Sequence, residues 1–314
     1  MRSGFYLLVF CLIFGSNAGF AQKSKAASQT ASRSVTVITQ PKATVWLRGV
    51  NYGTADESGK LLIRLIPPGA HELRVRGDGY KQVTQNLTAA QKGDVKIPLT
   101  EKADEAELAF QEAEKASVRE KEKARELYKK AIELRPKFFE AYIGLARVYA
   151  DDGFIEEAHE AVAQARKLRP ANAEASAVEG RIYKMEGDEE KAVEAFNRSI
   201  REGKGFQPEA HTGLALFYKE KAEFAGNSGE FQEEEANYEE AAKWFAPAVK
   251  QLSASPDAIV VFQLYGVVYE KMNRHQDAIK VYEDFLKVFP DITESTAVRS
   301  FIVQLKKQMS EQQP

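Results

Sequence analysis

Residues of one type recur every 34 positions in the middle of this 314-residue chain. The matched pairs are Pro136 and Pro170, Tyr149 and Tyr183, Gly153 and Gly187, and Ala158 and Ala192. Between them, apolar residues recur at intervals of three and four, which is typical of amphipathic helices. A constant period of this length predicts a repeat architecture, in which each unit is a pair of helices that buries its apolar face against its neighbours.

The small residues of each unit fit two closely packed helices. Ala146 and Ala158 leave room for a neighbouring helix, and Gly153 suits a tight turn because it has no Cβ. Pro170 cannot continue a helix and separates one unit from the next. The pattern closely resembles the tetratricopeptide repeat, whose typical positions are carried here by Tyr142, Leu145, Ala146, Tyr149, Ala158, Val162, Ala165 and Pro170. The following unit carries Gly180, Tyr183, Ala192, Phe196 and Ser199.

Five such units are predicted over residues 103–292 as an all-α solenoid, with a final helix at 293–309 covering its open end. The fourth unit is longer than the others. Tyr218 and Ala241 are 23 residues apart, whereas the corresponding residues of units two and three are 9 apart. An insertion at about 220–238, rich in Glu and Gly, accounts for the difference. The sequence leaves open whether it lengthens the helical hairpin or forms a flexible loop.

The first 21 residues have the features of a secretory signal peptide. An arginine precedes an apolar run from Phe5 to Phe14, and small residues follow up to Ala21. An uncleaved membrane anchor is the alternative, but the run is shorter than the roughly 20 residues that a spanning helix needs. We therefore expect cleavage after Ala21, no stable membrane span afterwards, and a secreted or periplasmic protein of bacterial type. The only cysteine, Cys11, would be removed, and the polar residues 22–33 would form a linker.

Residues 34–100 have a different pattern, which predicts a small all-β sandwich. Apolar and polar residues alternate in short runs separated by Gly- and Pro-containing turns, as in strands of a sheet with one buried face. The segment resembles the PEGA domain and the carboxypeptidase-regulatory-like domains in PKATVWLRGVNYG (41–53), IPPGAHELRV (66–75) and GDGYKQ (77–82). That resemblance implies a cell-envelope module without catalytic residues. Trp46 would be either a core residue or an aromatic platform for a sugar.

The tetratricopeptide resemblance implies that a partner binds in the concave groove lined by the first helix of each unit. The groove positions are Ile143, Arg147 and Asp151 in unit two, Arg181, Lys184 and Met185 in unit three, Thr212 and Leu216 in unit four, and Gln263 and Val267 in unit five. Arg147 and Arg181 are 34 residues apart and should be adjacent in the array. They would either pair with Glu140, Glu174 or Asp151 of this chain or hold a carboxylate of the partner.

Neither the composition nor the motifs indicate catalysis. The formal net charge is −2, which does not favour nucleic acid as a partner. The four histidines fall in separate predicted elements, and His211 is best explained by packing. We therefore expect no enzyme activity, no cofactor and no metal site. Two functions remain open: a secreted or periplasmic scaffold that binds a protein or peptide in its groove, or a cell-envelope polysaccharide-binding protein acting through the β domain.

Overall fold

The computed structural model describes residues 33–101 and 104–311. The predicted signal peptide and residues 22–32 of the predicted linker lie outside these ranges. Seven strands come first: β1 (Arg33–Ile38), β2 (Thr44–Leu47), β3 (Val50–Thr54), β4 (Lys60–Ile66), β5 (His71–Arg76), β6 (Val83–Leu87) and β7 (Gly93–Lys96). They form a three-stranded sheet in the order β4-β1-β7 and a four-stranded sheet in the order β3-β2-β5-β6. All strand pairs are antiparallel except β1 and β7.

Alternation along the strands builds the core between the two sheets. Val35 and Val37 of β1 and Val45 and Leu47 of β2 are buried, while the residues between them are more exposed. These side chains belong to one hydrophobic cluster that includes both sheets. The predicted β-sandwich is confirmed, and residues 33–101 are called the β domain below.

Eleven helices follow the β domain within residues 104–311: α1 (Glu105–Ala116), α2 (Lys121–Leu134), α3 (Phe139–Asp151), α4 (Ile155–Leu168), α5 (Ala173–Glu186), α6 (Glu189–Glu202), α7 (Pro208–Asn227), α8 (Phe231–Leu252), α9 (Asp257–Lys271), α10 (His275–Val288) and α11 (Thr293–Glu311). The first ten form five consecutive helical hairpins. In α11, Val298, Ile302 and Leu305 are buried, so this helix covers the apolar face of the last hairpin. No helix in the described ranges has the length and apolar character needed to cross a membrane.

The turns within the second to fifth hairpins each contain one residue with a left-handed backbone. Gly153 and Gly187 occupy this place with φ of 79° and 80°. Asn273 takes it in the fifth hairpin with φ of 55°. Asparagine tolerates this conformation better than most residues that have a Cβ, which explains why this turn forms without glycine.

Glycines on the helices allow large rings to enter the helix crossings. A Cβ added to Gly180 on α5 would lie 2.7 Å from the ring of Phe196 on α6, and one added to Gly213 on α7 would lie 2.5 Å from the same ring. Gly266 on α9 leaves the same kind of space for Tyr282 on α10. The predicted close approach of the helices therefore depends on a missing Cβ on one helix and a buried aromatic ring on the other.

The insertion in the fourth unit lengthens both helices of its hairpin. Helices α7 and α8 contain 20 and 22 residues, against 14 in each helix of the preceding hairpin. Ala222 of α7 and Tyr238 of α8 are buried in the same hydrophobic cluster, and Ala225 of α7 is buried as well, so the added turns bury apolar side chains of their own. Of the two alternatives left open by the sequence, the lengthened hairpin is the one observed.

Candidate functional site

Most of the predicted groove residues border two adjoining cavities on the concave face, which is lined by α3, α5, α7 and α9. The larger one, here called the central cavity, has a volume of about 840 Å³. Six of the predicted residues border it, namely Arg147, Arg181, Lys184, Met185, Thr212 and Leu216. Ile143 borders the second cavity, of about 720 Å³, which Arg147 also lines. Asp151, Gln263 and Val267 border neither cavity.

The opposite wall of both cavities is the outer face of the four-stranded sheet. Trp46 and Arg76 line the second cavity, Arg48 lines the central cavity, and Arg74 and Asn51 line both. The β domain therefore lies across the concave face of the helical array. The sequence predicts the β domain only as a separate module and does not predict this arrangement, because alternation along a strand does not say which element covers its outer face.

Trp46 is neither a core residue nor a free aromatic platform. Val45 and Leu47 point into the sandwich, so Trp46 lies on the outer face and is partly exposed. The guanidinium carbons of Arg74 and Arg76 lie 4.6 Å and 5.0 Å from its ring centroid. Two cations therefore stack on this ring, an arrangement that is favourable because the face of an aromatic ring carries negative charge density.

The β domain contacts the first hairpin of the array. The side chain of Gln111 on α1 is buried; its Oε1 accepts a hydrogen bond from the backbone N–H of Gly79 at 3.0 Å, and its Nε2 donates one to the carbonyl of Tyr80 at 3.3 Å. Arg76 pairs with Glu114, and Lys115 lies 2.6 Å from Asp78. A buried amide with both ends bonded fixes the relative orientation of the two elements.

A second set of contacts joins the β domain to the fourth hairpin. The hydroxyl of Ser253, directly after α8, donates a hydrogen bond to the carbonyl of Leu65 at 3.0 Å. The guanidinium carbon of Arg48 lies 3.6 Å from the ring centroid of Phe206, which precedes α7. Because the β domain contacts the helices at two separated places, it spans the arc between the first and fourth hairpins and encloses the cavities.

The cationic residues that the sequence placed in the groove are paired within the chain. Arg147 forms a two-pronged ion pair with Glu209, with Nη1 to Oε1 at 2.5 Å and Nη2 to Oε2 at 2.7 Å. Its Nη2 also contacts Glu174 at 3.3 Å. Arg181 pairs with Asp151, and Lys184 with Glu220 at 2.7 Å. Glu174 and Asp151 were among the expected partners, but Glu140 pairs with Arg169 instead, and Glu209 was not anticipated.

The pair of Arg147 and Glu209 is stable because each charge compensates for the other's loss of water. Burial by itself would raise the pKa of Glu209, but the charge and hydrogen bonds of Arg147 outweigh it and hold the pKa below its usual range. Burial likewise acts to lower the pKa of Arg147, and the charge of Glu209 reverses that effect. Both side chains therefore stay ionised at neutral pH and remain paired with each other.

Apolar side chains complete the lining of the central cavity. Met185 of α5 is 46% exposed and Val260 of α9 is 54% exposed, and Leu216 and Phe206 lie beside them on the same lining. Five cationic and three acidic side chains border the same space. The cavity therefore offers contacts both for apolar groups and for charges.

In the described part of the chain, no three His, Cys, Asp or Glu side chains are grouped so that they could hold a metal ion. His211 is buried with its ring centroid 5.7 Å from that of Trp244, and burial lowers its pKa. This agrees with the packing role that the sequence favoured.

Comparisons with known proteins address the helical part of the chain. Models of the tetratricopeptide repeat family match residues 116–138, 143–205 and 261–291. These ranges fall on α2 to α6 and on α9 and α10. No curated protein sequence matches the chain.

Solved structures provide the second comparison. Yeast Tom70 aligns with 66% of this chain and 41% of its own, at 15% identity and a TM-score of 0.51. The MamA protein aligns with 60% of this chain and 93% of its own, at 19% identity and a TM-score of 0.40. YrrB, described as a tetratricopeptide repeat protein with an unusual peptide-binding site, aligns with 63% of this chain and 93% of its own, at 21% identity and a TM-score of 0.35. The family matches and the likeness of fold to Tom70 lead to the same conclusion: the helices of this chain contain tetratricopeptide repeats, and the described residues form a β domain followed by a tetratricopeptide-type solenoid.

Proposed function

We propose that this protein is an interaction scaffold that binds a peptide segment of a partner in the central cavity. One observation carries the proposal. The cavity lies between the concave face of the helices and the outer face of the β domain, and it presents the exposed apolar side chains of Met185 and Val260. Concave sites with an apolar lining and a few polar groups are typical of ligand binding. A tetratricopeptide-type solenoid typically serves as an interaction scaffold without catalytic activity of its own.

A glycan platform at Trp46 is less well supported. Sugar stacking needs a free ring face, whereas two guanidinium groups lie over this ring. We also propose that the β domain is PEGA-like, on the strength of residues 41–53, 66–75 and 77–82. In this proposal, its role is to form one wall of the binding site.

The test uses peptides selected from a random displayed library against the full chain. Met185→Glu is expected to weaken the binding of the selected peptides by about tenfold to a hundredfold in Kd, because it puts a charge where apolar groups must be buried. Phe224→Glu is the matched control. Phe224 is 72% exposed and lies on α7 away from both cavities, so this variant should bind like the parent. Equal loss in both variants, or no selected peptide at all, would contradict the proposal.

We further propose that the protein acts outside the cytoplasm, after export and cleavage following Ala21. The support is the short apolar run between Phe5 and Phe14 and the small residues after it. Intact mass spectrometry of the protein made in a bacterial host should give a mass that begins at Gln22 in the exported fraction. A protein that keeps residues 1–21 and stays with the membrane would show that the segment is an anchor.

A further inference from the structure

Two arginines on the β-sheet wall of the central cavity have no acidic partner among residues 33–101 and 104–311. They are Arg48, in the turn between β2 and β3, and Arg74, on β5. The other three cations that border this cavity all have partners, in the pairs Arg147–Glu209, Arg181–Asp151 and Lys184–Glu220. The unpaired positive charge of the cavity is therefore located on the β domain.

Aromatic rings hold both guanidinium groups by their faces. Arg74 lies over Trp46 at 4.6 Å, and Arg48 lies over Phe206 at 3.6 Å. A ring that covers the face of a guanidinium leaves the N–H groups at its edge free to donate. Both guanidinium groups are therefore held in place by ring faces and not by a carboxylate of the described residues.

The surroundings of Arg74 carry an excess of positive charge. Arg76 follows two residues later on the same face of β5 and stacks on the same indole ring. Burial, together with the charge of Arg74, lowers the pKa of Arg76 to about 10. Glu114 pairs with Arg76, which leaves Arg74 as the cation that an incoming anion would meet.

The rest of the lining indicates what kind of anion fits. Met185, Val260 and Phe206 border the same cavity as the two arginines, so a ligand there contacts apolar surface and positive charge together. A purely polar chain would leave the exposed methionine and valine without apolar contacts. An uncharged chain would leave the two arginines without an ionic partner. A peptide that alternates acidic and apolar side chains uses both.

We propose that Arg48 and Arg74 bind carboxylate groups of an acidic peptide whose apolar side chains pack on Met185 and Val260. This inference rests on the proposed function and adds the class of partner. The planar guanidinium suits the task because its N–H groups match the two oxygens of a carboxylate.

The experiment measures binding of three labelled hexapeptide libraries to the full chain by fluorescence anisotropy. Each library combines Leu with a single polar residue, which is Glu, Gln or Lys. The Glu library should bind at least about tenfold more tightly than the Gln library, because hydrogen bonds to charged groups are stronger than neutral ones. The double variant Arg48→Gln/Arg74→Gln should bind the Glu library about tenfold to a hundredfold more weakly than the parent does, and its affinity for the Gln library should be unchanged.

Control variants separate this site from general charge effects and from loss of fold. Arg64→Gln removes one positive charge from an exposed position on β4, in the other sheet, and should bind all libraries like the parent. Arg74→Lys keeps the charge but loses the forked geometry, so it should recover part of the preference for Glu. It also provides a test if the double variant does not fold.

Each outcome decides a separate point. If the double variant keeps the preference for the Glu library, the two arginines are not the carboxylate site and the inference fails. Suppose that the parent protein binds the Glu and Gln libraries equally and that Met185→Glu abolishes binding of both. The scaffold function then stands, and only the inference about Arg48 and Arg74 fails. If tri-galacturonate binds more tightly than the Glu library and depends on Arg74 but not on Met185, the ligand is an acidic glycan and the peptide is excluded. If no library binds, the inference fails, and the scaffold function is decided separately by the peptides selected from the random displayed library.

Discussion

Replacing Phe196 with alanine lowers the free energy of unfolding by about 3–5 kcal/mol, the usual cost of removing a buried aromatic ring. The ring is 2% exposed and fills the space that Gly180 and Gly213 leave open on the two neighbouring helices. Those glycines have no side chain with which to close the resulting hole, so the site cannot collapse. Urea unfolding followed by circular dichroism measures the change.

Phe224→Ala is the matched control for Phe196→Ala. Phe224 is 72% exposed, so its removal should change the free energy of unfolding by no more than about 0.5 kcal/mol. If Phe196→Ala were as mild as this control, the ring would not lie at the crossing of three helices, and the packing described for α5, α6 and α7 would be wrong.

Replacing Glu209 with glutamine is expected to cost about 2–3 kcal/mol at neutral pH. The change leaves the charge of Arg147 without its two-pronged partner inside the cavity wall. We place the cost below that of a fully buried pair because the two side chains are 28% and 31% exposed. Glu174→Gln is the control. Glu174 is 50% exposed and makes one contact of 3.3 Å, so its loss should cost about 0–1 kcal/mol.

The same pair predicts a pH dependence with a definite sign. The pKa of Glu209 is lower in the folded protein than in the unfolded chain, because the stabilising charge of Arg147 outweighs the effect of burial. Its contribution is complete above the unfolded value of about 4.3 and is lost as the pH falls through the folded value. Below about pH 4.3, stability should therefore fall less steeply in Glu209→Gln than in the parent. If the free energy of unfolding fell with pH in parallel for the two proteins, the pair of Arg147 and Glu209 would not form.

The parts of the fold that depend on local sequence could be predicted well. Gly153 and Gly187 mark turns because their backbone conformation favours glycine, and the 34-residue period places the helices between them. The insertion at 220–238 was ambiguous because its Glu and Gly residues are common both in exposed helices and in loops. Its outcome depends on Tyr238 and Ala222, on opposite helices of the hairpin, becoming buried in one cluster, which no local pattern shows.

The candidate site could be predicted only in part, since its decisive contacts join distant positions. The helix spacing brought Arg147, Arg181 and Met185 to one face, but the partner of Arg147 lies 62 residues further along the chain. The alternation of Val45, Trp46 and Leu47 predicts that Trp46 lies on the opposite face of the strand from its two neighbours. That alternation contains no information on the helices that cover it, so Arg48 and Arg74 were not recognised as part of the cavity.

The hydrogen bond between Ser253 and Leu65 has a consequence for the order of folding. It joins residues 188 positions apart, whereas a helical hairpin forms from contacts within a few tens of residues. During synthesis, the strands emerge first, but their second attachment point does not exist until α8 has been made. The helical units can form one after another by adding to their neighbours. Closure of the β domain onto the fourth hairpin can therefore follow the first three hairpins but cannot precede α8, and the complete cavity also needs α9.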